Sequence, residues 1–197
     1  MYTVQNKNDI RYKTTHDTIR KVYKELLLQK NYLLISVTEI CKLAKINRGT
    51  FYIHYEDSQA VMAEFENEIY QQIVGFIDHA MKMNQPHHEL SSIVSNYLKT
   101  EDGDFFDKVL NGIYGSGSLY LKLCDYISSS ISPTFINDGQ LTKREAEILS
   151  IFLANGAVAV FHDWHKNGYN NLDKEYKFSS NLVDSIMELY GITFSSK

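Results

Sequence analysis

The sequence predicts an all-α protein, and three observations carry that expectation. Proline occurs only twice in 197 residues, so helices can run long without a breaker. Apolar residues recur at three- and four-residue steps over most of the chain, the period of a helix with one buried face. Two hydroxyl side chains stand three positions ahead of a glutamate, Ser36 before Glu39 and Thr142 before Glu145. At that spacing each side chain satisfies a free backbone amide at a helix start.

The first helix is expected over Thr15 to Gln29, where Ile19, Val22, Tyr23, Leu26 and Leu27 share a face. A second opens at Ser36, with Val37, Ile40, Cys41 and Ala44 inward and Thr38, Glu39, Lys42 and Lys45 outward. After Ile46 the pattern breaks, and Asn47, a good N-cap, begins a third helix at Arg48-Gly49-Thr50, with Phe51, Tyr52 and Tyr55 on its buried side. Two short helices with a three-residue corner, the second opening on amides, hydroxyls and one long cation, match a helix-turn-helix. Such a motif lays the first turn of its second helix in the major groove of DNA. An ordinary surface hairpin is the plainer reading, but it needs no polar first turn.

A fourth helix is expected from about Asp57 to Met83 on the stripe Val61, Phe65, Ile69, Ile73, Phe76, Ile77 and Ala80. Asn84 to Glu89, with Pro86, reads as a connection and the pair His87-His88 as a solvated loop. Shorter helices follow over Leu90 to Thr100, Asp104 to Leu110 and Ser118 to Ser130, separated by loops at Asn111 to Gly117 and Ser132 to Gln140. The glycines of the first loop have neither the spacing nor the preceding strand of a phosphate-binding turn. Thr142 to Asn167 forms the second long helix, ending at Gly168, and a last helix spans about Tyr176 to Tyr190. The middle of the Thr142 helix is apolar nearly all round, so something must cover both its sides.

Charge divides the chain in two. Residues 1–60 hold ten Lys or Arg against six Asp or Glu, and the remainder ten against eighteen. A basic head approaches phosphates while an acidic body is repelled, which orients the molecule on a duplex. Lys7, Arg11 and Lys13, ahead of the first helix, suit either a flexible arm over the DNA backbone or a solvated tail. The two cysteines, Cys41 and Cys124, lie in apolar helical patterns and read as reduced core residues. The first twenty residues lack the apolar run of a secretion signal, and Ile148 to Trp164 is too interrupted to span a bilayer, so a cytoplasmic protein with a buried helix there is expected.

Catalytic motifs are missing: no nucleophile elbow, HExxH or phosphate loop is present, and no enzyme activity or cofactor is expected. His162 and His165 with Asp163 between them allow a metal site to be imagined, even a helical metal hydrolase, but no further ligands stand at matching spacing.

The segment from Asn31 to Tyr55 resembles the DNA-binding domain of the TetR family of transcriptional regulators. That family's pattern runs Thr-Val-x-x-Ile-Ala-x-x-Ala-Gly-Val-Ser-x-Gly-Thr-Leu-Tyr-x-His-Phe. Here it is met by Asn31-Tyr32 in the preceding turn, then Ser36, Val37, Ile40, Ala44, Ile46, Asn47, Gly49, Thr50, Phe51, Tyr52, His54 and Tyr55. Three positions depart from it: Lys45 replaces the corner glycine, Cys41 an alanine, and Ser58 a lysine that opens the fourth helix and touches phosphate. The stretch Gly156 to Gly168, ending Trp164-His165-Lys166-Asn167-Gly168, is weakly similar to a subgroup from low-GC Gram-positive bacteria that includes the activator of dihydroxyacetone kinase genes.

The resemblance and the spacing together make Ser36, Thr38, Lys42, Lys45, Asn47, Arg48, Gly49, Thr50, Tyr52 and His54 the candidate contacts to a palindromic double-stranded DNA operator. Residues 1–60 would be the DNA-binding domain and 61–197 the effector-binding and dimerisation domain. The resemblance implies a homodimer joined through the last two long helices, acting as a repressor, and a cavity for a small hydrophobic ligand. Phe76, Tyr97, Tyr120, Cys124, Phe152, Phe161 and Trp164 are candidates to line that cavity, although aromatic stripes at helical spacing more often form core. A body that docks a partner protein instead, through the acidic cluster Glu101, Asp102, Asp104 and Asp107, is the alternative source of a signal.

Overall fold

The computed structural model describes residues 10–83, 86–98, 100, 103–110, 118–137, 141–167 and 172–192. Among these the regular structure is entirely helical: α1 (Ile10–Leu27), a 3₁₀ turn (Tyr32–Leu34), α2 (Val37–Ala44), α3 (Arg48–His54), α4 (Ser58–Ala80), α5 (Pro86–Leu98), α6 (Gly103–Leu110), α7 (Ser118–Asn137), α8 (Lys143–Lys166) and α9 (Leu172–Leu189). The loops expected at 111–117 and the end of the loop at 138–140 lie outside the described residues.

The predicted caps are formed. Ser36 Oγ accepts from the amide of Glu39 and Asn47 Oδ1 from that of Thr50, and α4 is capped in the same way although no cap was expected there, Asp57 Oδ1 accepting from the amide of Ala60. At α8, Thr142 Oγ1 accepts from the Glu145 amide while the Glu145 carboxylate accepts from the Thr142 amide and hydroxyl. Each cap thereby satisfies one of the free amides of its first turn.

One core runs the length of the molecule. Ile19, Tyr23 and Leu27 of α1 pack with Ile40 of α2 and Phe51 of α3, and the cluster continues along α4 through Val61, Phe65, Ile69, Ile73 and Ile77 to Leu119 and Leu123 of α7 and Ala154 and Val158 of α8. At 23 residues α4 is a rod of about 35 Å with one end in the head and the other in the body. A second, smaller cluster joins Phe135, Ala146, Met187 and Ile192. Cys41 and Cys124 are buried and unbridged.

Four expectations are corrected. Arg11 and Lys13 do not precede the first helix: α1 begins at Ile10 and carries both. The connection expected at 84–89 ends early, because α5 starts at Pro86, whose fixed φ and missing amide suit a first helical position. The helix expected to stop at Ser130 continues to Asn137 through Pro133, since Phe135 is driven into the second cluster. The α8 rod is not buried on all sides. Ala146, Ser150, Ala154 and Val158, at four-residue steps, are buried on the side facing α7, whereas Ile148, Ile151 and Phe152 are exposed, Phe152 by 68%. By length and composition alone, Lys143–Trp164 would also suffice to cross a membrane.

Candidate nucleic-acid interface and body cavity

α2 and α3 are held at a fixed angle by the corner between them. Lys45 closes α2 in the left-handed region at φ 55° and ψ 40°, the only positive-φ non-glycine residue among those described. The amides of both Lys45 and Ile46 bond back to the carbonyl of Cys41. The chain therefore turns as a glycine would turn it, and lysine bears the steric strain of doing so.

The first turn of α3 then stands free of the core. Asn47, Arg48, Gly49 and Tyr52 are exposed, as are Ser36, Thr38, Lys42 and Lys45, and Thr50 is half-buried. Asn47 Oδ1 accepts from both the amide of Thr50 at 2.7 Å and its hydroxyl at 3.0 Å. Gly49 leaves room for that cap, because a Cβ there would stand 3.2 Å from Asn47 Oδ1. Arg48 donates to the Tyr52 hydroxyl at 3.3 Å across one helical turn, which steers the guanidinium along the helix surface. Tyr52, expected on the buried side, is half exposed instead and belongs to this outer face.

His54 points the other way. Its ring lies 4.1 Å from that of Tyr12 on α1, and its Nδ1 is buried without a hydrogen-bond partner. Burial, with His16 beside it, holds its pKa below the usual imidazole range. Behind it the Tyr55 hydroxyl meets His16 Nε2 at 2.8 Å, His16 Nε2 lies 3.3 Å from Glu64 of α4, and Arg20 is paired with both Glu64 and Glu68. Burial works to raise the Glu64 carboxyl, but the Tyr55 hydrogen bond and the charges of His16 and Arg20 outweigh it and hold the group below the usual carboxylate range. Arg20 also lies 4.4 Å over the Phe65 ring. These contacts tie α1 and the end of α3 to the first three turns of α4.

In the body, a cavity of about 230 Å³ opens between α8, α9 and the start of α5, lined by Phe152, Phe161, Trp164, Leu182, Val183 and Leu90 among others. Two smaller spaces of about 90 and 40 Å³ share Leu90 with it and reach Ile77 at the far end of α4. Of the seven candidate lining residues the structure brings Phe152, Phe161 and Trp164 to the cavity. The other four do not line it: Tyr97 meets Phe76 and Phe106 edge-on, while Tyr120 and Cys124 join the core cluster on α7. The sequence reading missed the α9 and α5 walls, Leu182, Val183, Ser180 and His87, because nothing local marks two helices nearly ninety residues apart as neighbours.

His87 and His88 are not a solvated loop. They sit on the first turn of α5, where their Nε2 atoms meet Asp184 Oδ1 and Oδ2 of α9 at 2.9 and 3.0 Å. His162 is half-buried, and the side chain of His165 lies outside the described residues, as do those of Glu101, Asp102, Asp104 and Asp107.

The described residues, all helical in their regular structure and carrying an exposed, capped helix-turn-helix at one end of a long connecting rod, define a helix-turn-helix fold. Solved structures place it more closely: the fold is that of TetR- and AcrR-type transcriptional regulators. The fatty acid degradation regulator FadR from Bacillus halodurans superposes with a TM-score of 0.63 at 15% identity, over 85% of this chain and 93% of that one. SmeT, the repressor of a Stenotrophomonas maltophilia multidrug efflux pump, solved with triclosan, gives 0.65 at 12% identity over 93% and 97%. The dihydroxyacetone kinase operon activator DhaS gives 0.56 at 17% over 89% and 97%. No protein-family model matches the chain, and no curated protein is similar to it in sequence.

Proposed function

We propose that this chain is a TetR-family regulator: a homodimer that represses from a palindromic operator in the cytoplasm and is released by a small hydrophobic ligand. The observation that carries the reading is the start of α3, where Arg48 and, one turn on, Tyr52 are presented outward on a helix capped by Asn47, with Thr50 half-exposed between them, in a head rich in lysine and arginine. Residues 1–60 serve as the DNA-binding head and 61–197 as the effector and dimerisation body. Arg48 reads base edges, Lys42 and Lys45 meet phosphates, and Asn47 and Gly49 shape the turn so that the duplex can approach. His54, packed on Tyr12, supports the head and makes no contact with DNA.

Control passes through α4. A ligand in the cavity beside α8 presses on the spaces that reach Ile77, while the other end of the same rod is tied to α1 and α3 through Glu64, Glu68 and Phe65. A ligand that fits one tilt of the rod better than another shifts the spacing of the two heads, and only one spacing matches an operator. The likeness to SmeT, solved with triclosan, supports the kind of ligand.

The test begins with DNA fragments selected from a random pool by the purified protein, which should yield a palindrome. Arg48→Ala and Thr50→Ala should each weaken binding to that palindrome at least ~10-fold in a gel shift while leaving helicity and dimerisation intact. Unchanged binding by both variants would refute the reading.

A further inference from the structure

We propose that His87, His88 and Asp184 form a divalent metal site, with zinc as the ion that fits it best. The three residues come from the first turn of α5 and the middle of α9, and their ligating atoms all lie within 4.8 Å of one another. Each imidazole presents Nε2 to a different oxygen of the same carboxylate, at 2.9 and 3.0 Å. A tetrahedral ion with bonds of about 2.1 Å spaces its ligands roughly 3.4 Å apart, so zinc would enter with side-chain adjustments of about 1 Å. Two imidazoles and one carboxylate are a borderline donor set, suited to zinc, cobalt or nickel and unsuited to calcium or magnesium.

The surroundings support ligation as well as hydrogen bonding. The Tyr176 hydroxyl donates to the backbone carbonyl of His88 at 3.0 Å and lies 3.4 Å from Nδ1 of the same ring. Its oxygen is therefore placed to accept a proton held on Nδ1, which leaves Nε2 with the lone pair a metal needs. When zinc replaces the two Nε2 protons, each neutral ring keeps a proton by carrying it on Nδ1, and for His88 that proton meets Tyr176. The Asp184 carboxylate supplies the opposing charge, and the fourth position is left to water. Half-exposure of Asp184, at 47%, gives an ion its entry path. Bound there, zinc would clamp α5 to α9 at the edge of the cavity, which His87 also lines.

The tag-free full-length chain, stripped with a chelator, is titrated with zinc chloride against a chromophoric competitor and, separately, with cobalt, whose visible spectrum reports the coordination geometry. Neither titration needs DNA or an effector, so its outcome is independent of the regulator reading. One equivalent of zinc per chain and a tetrahedral cobalt spectrum are expected. His88→Gln and Asp184→Asn, both at partly exposed positions, should weaken zinc binding at least ~100-fold with unchanged circular dichroism, and Tyr176→Phe about tenfold. Substoichiometric zinc in the wild type, or wild-type affinity in both ligand variants, would overturn the proposal.

Discussion

Lys45 shows how one side chain can carry both strain and affinity. It occupies the left-handed region with φ 55°, where a Cβ clashes with the following carbonyl at a cost of about 1–2 kcal/mol. Lys45→Gly should therefore stabilise the fold by about 1 kcal/mol, read as a higher urea midpoint with an unchanged slope. The same change removes a cation from the proposed DNA face, so the slope of log affinity against log salt should fall by about one. His54 has the opposite character, being a titratable group kept uncharged. Its pKa is lowered by burial, so the unfolded chain takes up its proton first as pH falls. The stability it contributes is complete above the ordinary histidine range and is lost as pH drops below about 6.5. His87 is shifted the same way, by burial against the pull of Asp184, and adds to the same loss. His54→Phe, which keeps a ring against Tyr12 without a nitrogen to charge, should lose less Tm than the wild type between about pH 7.5 and about pH 5.5. An identical pH dependence in the two would count against a neutral His54.

At the scale of elements, the extension of α7 shows burial against a distant partner overriding a local signal. Pro133 is a helix breaker by its own chemistry, lacking the amide that would bond to the carbonyl of Ser129. α7 nevertheless runs on to Asn137, because Phe135 reaches full burial with Ala146 and Met187 only if the helix continues. The proline is exposed and contributes nothing to that packing. Pro133→Ala should restore the missing bond and raise stability by roughly 1–3 kcal/mol, a Tm increase of about 2–4 °C per kcal/mol in a differential scan. Pro86 is the reverse case, a proline that starts a helix where the sequence suggested a linker. The elements whose starts matched most closely, α2, α3 and α8, are those set by neighbours in sequence: Ser36 with Glu39, Asn47 with Thr50 and Thr142 with Glu145.

For the whole molecule, the decisive feature is the apolar surface left open on α8 and α9. Ile148, Ile151 and Phe152 on one helix and Phe178, Leu182 and Leu189 on the other are each at least half exposed. Gly156 has open space where a Cβ would stand, so a partner helix can approach α8 closely. A second copy of the chain, packing as the family resemblance implies, would cover this stripe and roof the cavity at Phe152 and Leu182. Phe152→Glu with Leu182→Glu should yield a folded protein that sediments at half the mass of the wild type and no longer retards operator DNA. A wild type that sediments as a monomer would contradict the dimer.

Much of this architecture was legible in the linear chain, because helix periodicity, caps and the polar turn at Asn47 depend on residues within a few positions of one another. Those interactions determine where helices start and which faces turn inward, and they mark the polar turn at Asn47 that is proposed to meet DNA. Only the tertiary structure decided that His54 turns inward, that three of the seven candidate lining residues share a cavity, and that His87 and His88 meet Asp184. Each of these depends on where long helices cross, and crossing is set by the fit of whole faces, which no local spacing encodes.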